Sequence, residues 1–151
     1  MNQEVEFFIN NAFVEEIAKH LTQCDTDFIP PLSERVEIKH YAQKIVNYSV
    51  RFEAWQNNQC IGLIAVYCND LVNGISYITS VSIIPNWHGK GIASQLLEKA
   101  IKYIQAHDFE RIELEVHCHN ANAINLYKKF GFVHSDSAES VIHMQLKIAK
   151  E

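Results

Sequence analysis

A chain of 151 residues that is 48% hydrophobic can bury a core without disulfide or metal staples, and residues 1–151 are expected to form a single domain. With 21% charged residues, five glycines and three prolines, a low-complexity or largely disordered chain is excluded. A formal charge of −5, with eight acids against four bases among residues 1–50, argues against nucleic-acid binding.

Val14, Ile17, Ala18 and Leu21 recur at the spacing of one helical face. A second such face runs through Ile38, Tyr41, Ala42 and Ile45 after the Pro30-Pro31 break, so two amphipathic helices are expected before any strand. Extended runs at 50–56 and 59–69 flank Asn57-Asn58 and read as a hairpin, with a third, antiparallel strand at 75–84. The period then changes: Ile92, Leu96, Leu97, Ala100, Ile101 and Ile104 form the stripe of a central helix that ends near Asp108. A strand at 111–119, a short helix at 121–130 closed by Gly131, and a last strand at 141–148 complete the order. Strand, helix and strand over 75–119 demand a parallel crossover, which makes the sheet mixed and the fold α/β.

The acidic N-terminus lacks the basic character of a leader, and the longest apolar run, 61–68, is far short of the roughly 20 residues of a membrane span. A soluble cytoplasmic protein is expected, with neither membrane nor nucleic acid as partner, as a monomer or homodimer. Cys24, Cys60, Cys68 and Cys118 are widely spaced without a CxxC and read as reduced thiols. Nothing ties Cys68 or Cys118 to a base, so neither is expected to act as a nucleophile. His117 and His119 would face one side of a strand and Cys118 the other, so no metal is expected there.

Between the third strand and the central helix, Gly89-Lys90-Gly91-Ile92-Ala93-Ser94 forms a small-residue loop opening onto a helix N-terminus. The first N–H groups of a helix have no intrahelical partner and the dipole favours an anion, so a phosphate fits there. Gly89 and Gly91 allow close approach, and Lys90 and His88 add positive charge. The loop is neither a Rossmann fingerprint, since Ser94 stands at the third glycine position, nor a GxxxxGK[ST] phosphate loop.

His88-Gly89-Lys90-Gly91-Ile92-Ala93 resembles the acetyl-CoA loop of the GNAT family of N-acetyltransferases, departing from it at His88, where the family has Arg or Gln. A second family pattern is met by Asn120, Ala123, Leu126-Tyr127 and Gly131-Phe132. The resemblance covers 50–134 and implies a mostly antiparallel sheet of six to seven strands, flanked by helices and splayed between its fourth and fifth strands, 75–84 and 111–119. It implies acetyl-CoA as co-substrate: the backbone of Val81, Ser82 and Ile83 pairing with the pantetheine arm, His88 and residues 89–94 at the pyrophosphate, and Asn120 on the cofactor arm, as a helix cap, or both.

An alkyl amine is only about 0.1% neutral at pH 7, so its acetylation needs a proton acceptor. Glu115 lies five residues before Asn120 and twelve before Tyr127, a spacing that resembles the ribosomal-protein alanine acetyltransferases, whose equivalent Glu is the proposed base. Its action directly, through water, or not at all stays open, with Glu113 and His117 as fallback candidates on the same strand face. Tyr127 is expected beside the cofactor sulfur as a hydrogen-bond donor, and the Val81 N–H beside the thioester oxygen. Phe28, Tyr67, Tyr77 and Thr79 are the expected acceptor-side residues, while His88's neighbours in type, His134 and His143, receive no role. The implied activity is acetyl transfer to a primary amine of a small molecule, amino sugar or peptide, and the alternative is a catalytically silent acetyl-CoA-binding sensor or interaction module.

Overall fold

A seven-stranded mixed sheet, in the order β1-β2-β3-β4-β5-β7-β6, carries helices on both faces. The structure, a computed structural model, describes residues 4–149. The strands are β1 (Glu6–Ile9), β2 (Ser49–Gln56), β3 (Gln59–Asp70), β4 (Ile75–Ile83), β5 (Arg111–His117), β6 (Val133–Ala138) and β7 (Val141–Lys147). The helices are α1 (Val14–Gln23), α2 (Ile38–Tyr48), α3 (Ile92–Ala106) and α4 (Ala121–Lys129). Among the described helices none is long and apolar enough to cross a membrane.

The expectation that both helices precede any strand is corrected: β1 comes first, as a four-residue edge strand antiparallel to β2. Its residues are mostly exposed, so no burial pattern marked it. β6 escaped a sequence assignment for the same reason, since all six of its residues are exposed. The β2–β3 hairpin turns through Asn57 (φ 49°) and Asn58 (φ 60°), the two consecutive positive-φ residues that a tight twisted hairpin requires.

The apolar stripes read from the sequence divide between the two faces. Ile17, Leu21, Ala42 and Ile45 pack on one side with Trp55, Leu63 and Ala65. Ile92, Leu96, Leu97, Ala100 and Ile104 pack on the other with Phe52, Ile61, Ile64 and Ile112. Gly62 is what brings α3 close to the sheet: a Cβ there would meet Ile83 Cδ1 at 2.9 Å, Leu96 Cδ1 at 3.1 Å and Ile92 Cγ2 at 3.2 Å. Buried Glu53 ties the β1–α1 loop to β2, accepting bonds from the Ala12 N–H (3.0 Å), the Trp55 indole (2.9 Å) and Arg51 Nε (3.1 Å).

The β4–β5 junction positions everything that follows. These strands pair in parallel only from Ile75–Ile78 against residues 111–114, with no pairing beyond. The β3–β4 register shows why: Val66 faces Ile78 while the adjacent Ala65 faces Ser80, leaving Thr79 as the extra residue of a bulge. A bulge bends its strand and strengthens local twist, so β4 turns away from β5 at Thr79 and a cleft opens.

Candidate active site

The cleft is a cavity of about 600 Å³ at the splay. Val81, Glu115, Asn120 and Tyr127 line it together, with Phe28, Tyr77 and Thr79 toward the α1–α2 loop. These seven expected site residues, scattered over 100 positions of sequence, share one space.

On β4 the open edge is main chain. Ile84 N–H donates to the Ile61 carbonyl (2.9 Å), so strand alternation turns the amide groups of Ile83 and Val81 away from β3, toward the splay. Ser82 is thereby corrected as a backbone contact, because its amide faces β3. Its hydroxyl is also committed: His20 Nδ1 donates to the Cys60 carbonyl (3.0 Å), leaving Nε2 to accept from Ser82 Oγ (2.8 Å). Burial holds the His20 pKa down at about 4, so the ring is neutral.

The loop expected to meet the phosphates has backbone geometry that suits an anion, while one expected contributor is turned elsewhere. Gly89 (φ 75°) and Gly91 (φ 78°) both adopt the left-handed region, and a Cβ on either would meet nothing within 4 Å, so the space above the loop is open. Gly91 begins α3 without a side-chain cap, and the first helical bond is Gln95 N–H to the Gly91 carbonyl (3.1 Å). The N–H groups ahead of Gln95 thus lack helical acceptors, as a pyrophosphate site requires. Lys90 Nζ lies 5.8 Å from the Trp87 ring centre. His88, in contrast, reaches back: its Nε2 lies 2.8 Å from the Ile83 carbonyl and 3.2 Å from Asp27 Oδ2. That nitrogen braces the end of β4 and is not free for a phosphate, and the Ile83 carbonyl is occupied as well.

The second sequence pattern is the complete capping scheme of α4. Asn120 Oδ1 accepts the Ala123 N–H (3.3 Å) at the N-terminus, leaving its amide nitrogen for a ligand. At the other end Gly131 N–H donates to Lys128 (3.0 Å) and Phe132 N–H to Tyr127 (3.0 Å), with Gly131 at φ 97°. This is a Schellman closure, and the Phe132 ring sits 5.7 Å from the Tyr127 ring, supplying its apolar contact. Tyr127 is thereby held at 6% exposure, with its ring against Phe132. Burial pushes its phenol well above the ordinary range, so the hydroxyl stays protonated.

Glu115 lies 3.7 Å from His143 Nδ1, its cross-strand partner on β7. Glu113 is instead paired with Arg111 (2.6 Å) and borders a separate, smaller cavity. Tyr77 lines both cavities, and its pKa is pushed up to about 12, first by burial and then by the Glu115 charge. Thr79 is held by Tyr41, whose hydroxyl donates to its carbonyl (2.8 Å). Tyr67, expected on the acceptor side, pairs with Tyr77 across β3 and β4 and is not among the residues lining the cavity; its buried hydroxyl has no hydrogen-bond partner among the described residues. Arg35, Tyr41, Ile29, Pro30 and Leu32 line the cavity but carried no sequence signal for the site; the Pro30-Pro31 break marked that loop, and Tyr41 belongs to a helical stripe.

β5 ends at His117, which corrects the strand expected to reach His119 and the opposite-face argument built on it. The donor atoms of His117, Cys118 and His119 come within 4.8 Å of one another, while His117 Nδ1 accepts the His119 N–H (3.1 Å). Burial raises the Cys68 thiol to about 11 and Cys24 to about 12, consistent with inert thiols at both positions.

The splayed sheet, the uncapped glycine loop and the capped α4 agree with a family comparison: the model of the acetyltransferase (GNAT) family matches residues 14–132. The chain belongs to that family. It is 32% identical over 83 residues to the N-alpha-acetyltransferase MAK3 of Arabidopsis thaliana, covering 54% of this chain and 44% of the relative. Over 71 residues it is 35% identical to a putative ribosomal protein bS18-alanine N-acetyltransferase of Bacillus subtilis, covering 46% and 47% respectively. The chain thus spans less than half the length of these relatives. Its fold is that of the ribosomal-protein-S18-alanine N-acetyltransferase of Escherichia coli (TM-score 0.77, 19% identity, 97% and 96% of the chains). It also matches the PaiA N-acetyltransferase of Thermoplasma acidophilum in complex with coenzyme A (TM-score 0.74, 18% identity, 94% and 99%).

Proposed function

We propose that this protein transfers an acetyl group from acetyl-CoA to the α-amine of a peptide or protein N-terminus, by direct attack with both substrates bound. The observation that carries the reading is the convergence of Val81, Glu115, Asn120 and Tyr127 on one cleft whose β4 edge offers unpaired main chain. Acetyl-CoA supplies the activated acyl group. Residues 89–94 hold its pyrophosphate, the Val81 edge and the Asn120 amide hold its arm, and the Tyr127 hydroxyl donates to its sulfur. The Val81 N–H polarises the thioester carbonyl, and Glu115 accepts the proton of the incoming ammonium.

The acceptor class follows from the charge and polarity of the walls. Among the described lining residues Glu115 is the one carboxylate and Arg35 the one permanent cation. A polyamine or a polycationic aminoglycoside would meet one acid and one repelling guanidinium, whereas a single α-ammonium meets Glu115 alone. Phe28, Ile29, Pro30, Leu32 and Val36 give an apolar wall suited to the first side chain of a peptide. The N-alpha-acetyltransferases among the relatives support this choice, and the spermine and streptothricin acetyltransferases of Bacillus species, also relatives, are the alternatives it rejects.

The test is thiol release with acetyl-CoA against short peptides, spermine and amino sugars. Turnover is expected with peptides bearing a free, apolar first residue and not with their N-blocked forms. Preference for a polyamine would refute the acceptor class, and acetyl-CoA binding without turnover of any amine would establish the silent module instead.

A further inference from the structure

The sequence assigned His143 nothing, yet the fold sets it in a row of ionisable groups that leads from the cleft to a second cavity. Residues directly opposite in an antiparallel pair share a face, and His143 is opposite Glu115 on β5 and opposite Asp136 on β6. The second placement depends on a bulge: His134 faces Met144, Ser135 is skipped, and Asp136 comes level with His143. Glu115 lines the active cleft; His143 and Asp136 line the smaller cavity of about 130 Å³, which Tyr77, Glu113 and Ser135 also border. His143 does not line the main cleft itself.

We propose that His143 is the positioning and relay residue for Glu115, carrying the acceptor amine's proton across the β5–β7 pair to water in the second cavity. This rests on Glu115 as the proton acceptor of the proposed reaction. A carboxylate alone holds a proton weakly and returns it to the amine, whereas an imidazole is the stronger base and can pass the proton on through its second nitrogen. The 3.7 Å between Glu115 Oε1 and His143 Nδ1 closes to hydrogen-bond distance by a small side-chain rotation. The N–H bond of the ammonium breaks as Glu115 takes the proton. Glu115 passes it to Nδ1 of the neutral ring, and the hydrogen on Nε2 leaves to water, so charge and protons balance. The ring resets its tautomer by exchange with solvent. The charged and titratable groups facing His143 are Glu115 and Glu113 from β5, Asp136 from β6 and Tyr77 from β4.

The experiment is the pH profile of kcat/KM for the peptide acceptor in His143→Gln, whose amide keeps the size and hydrogen bonding but cannot titrate. The expected result is a loss of about tenfold or more near pH 7 that narrows toward pH 9, where more amine is already neutral, with acetyl-CoA affinity and Tm unchanged. In His143→Ala, added imidazole is expected to restore rate at pH 7, which keeps the proposal testable should the Gln variant misfold. A loss equal at every pH without imidazole rescue, or no loss, overturns the relay. Glu115→Gln separates the two layers: impaired Glu115→Gln beside a normal His143→Gln sinks the relay alone, and a fully active Glu115→Gln sinks the base assignment beneath it.

Discussion

Replacing Tyr127 by Phe removes a single oxygen from the cleft and isolates its chemistry from its packing. The hydroxyl makes no hydrogen bond among the described residues, while the ring is 94% buried against Phe132. Deleting the oxygen therefore leaves no orphaned partner, and the Schellman closure that holds the ring is main chain, so Tm should stay within about 1–2 °C of the parent. Catalysis should respond very differently. A positioned donor to charge that develops in a water-poor site is worth about 2.7–4 kcal/mol, so kcat should fall about 100- to 1000-fold. Because burial raises the phenol further, full proton transfer to a thiolate is more uphill than for a free tyrosine, and the hydroxyl should act by hydrogen bonding. The deficit in thiol release should accordingly be constant from about pH 6 to pH 9, with acetyl-CoA affinity nearly unchanged. A kcat within twofold of the parent would falsify the assignment; a fall in Tm that tracks the fall in rate would return Tyr127 to a packing role.

Gly91→Ala adds a methyl group where the protein offers no contact within 4 Å but φ is 78°, so about 1–2 kcal/mol of backbone strain is expected, and KM for acetyl-CoA should rise at least tenfold with kcat little changed. An unaltered KM would show that the phosphates do not use this loop. Glu53→Gln leaves Arg51, 5% exposed, without its counter-charge and should cost about 3–5 kcal/mol, visible as a Tm drop on the order of 10 °C; a drop under about 2 °C would refute that role. His20 has a pKa near 4 when folded against 6.5 when exposed, so the unfolded chain binds more protons between those values. Stability should therefore be intact above pH 6.5 and fall by about 3 kcal/mol as pH drops to 4, read from urea midpoints, and His20→Gln should flatten that slope. A slope unchanged in the variant would assign it to other groups.

What could be read without coordinates was whatever the chain encodes locally. The α4 pattern is the strongest case, because Asn120 as cap, Tyr127 three from the end, Gly131 at positive φ and Phe132 as closing contact are one short-range device. Each residue type is demanded by backbone geometry, and the same geometry aims Tyr127 at the cleft. Gly89 and Gly91 were legible for the same reason. His88 was not: its type suggested charge for a phosphate, but its ring is taken by Ile83 and by Asp27, some 60 positions away, an interaction that no spacing rule reveals. β1 and β6 were invisible because exposed edge strands carry no alternation.

His143 belongs to this second kind. Its row with Glu115 and Asp136 exists only because β7 returns between β5 and β6 and because β6 bulges at Ser135. Two bulges thus shape the two ends of the proposed proton path. The one at Thr79 opens the cleft and frees the Val81 edge, and the one at Ser135 draws an acidic residue level with the imidazole. Both act by shifting strand register by one residue, a change that leaves composition and hydrophobic period almost untouched while redirecting which side chains meet. A sequence can therefore reveal the residue types of such a site well before it reveals which of them are neighbours.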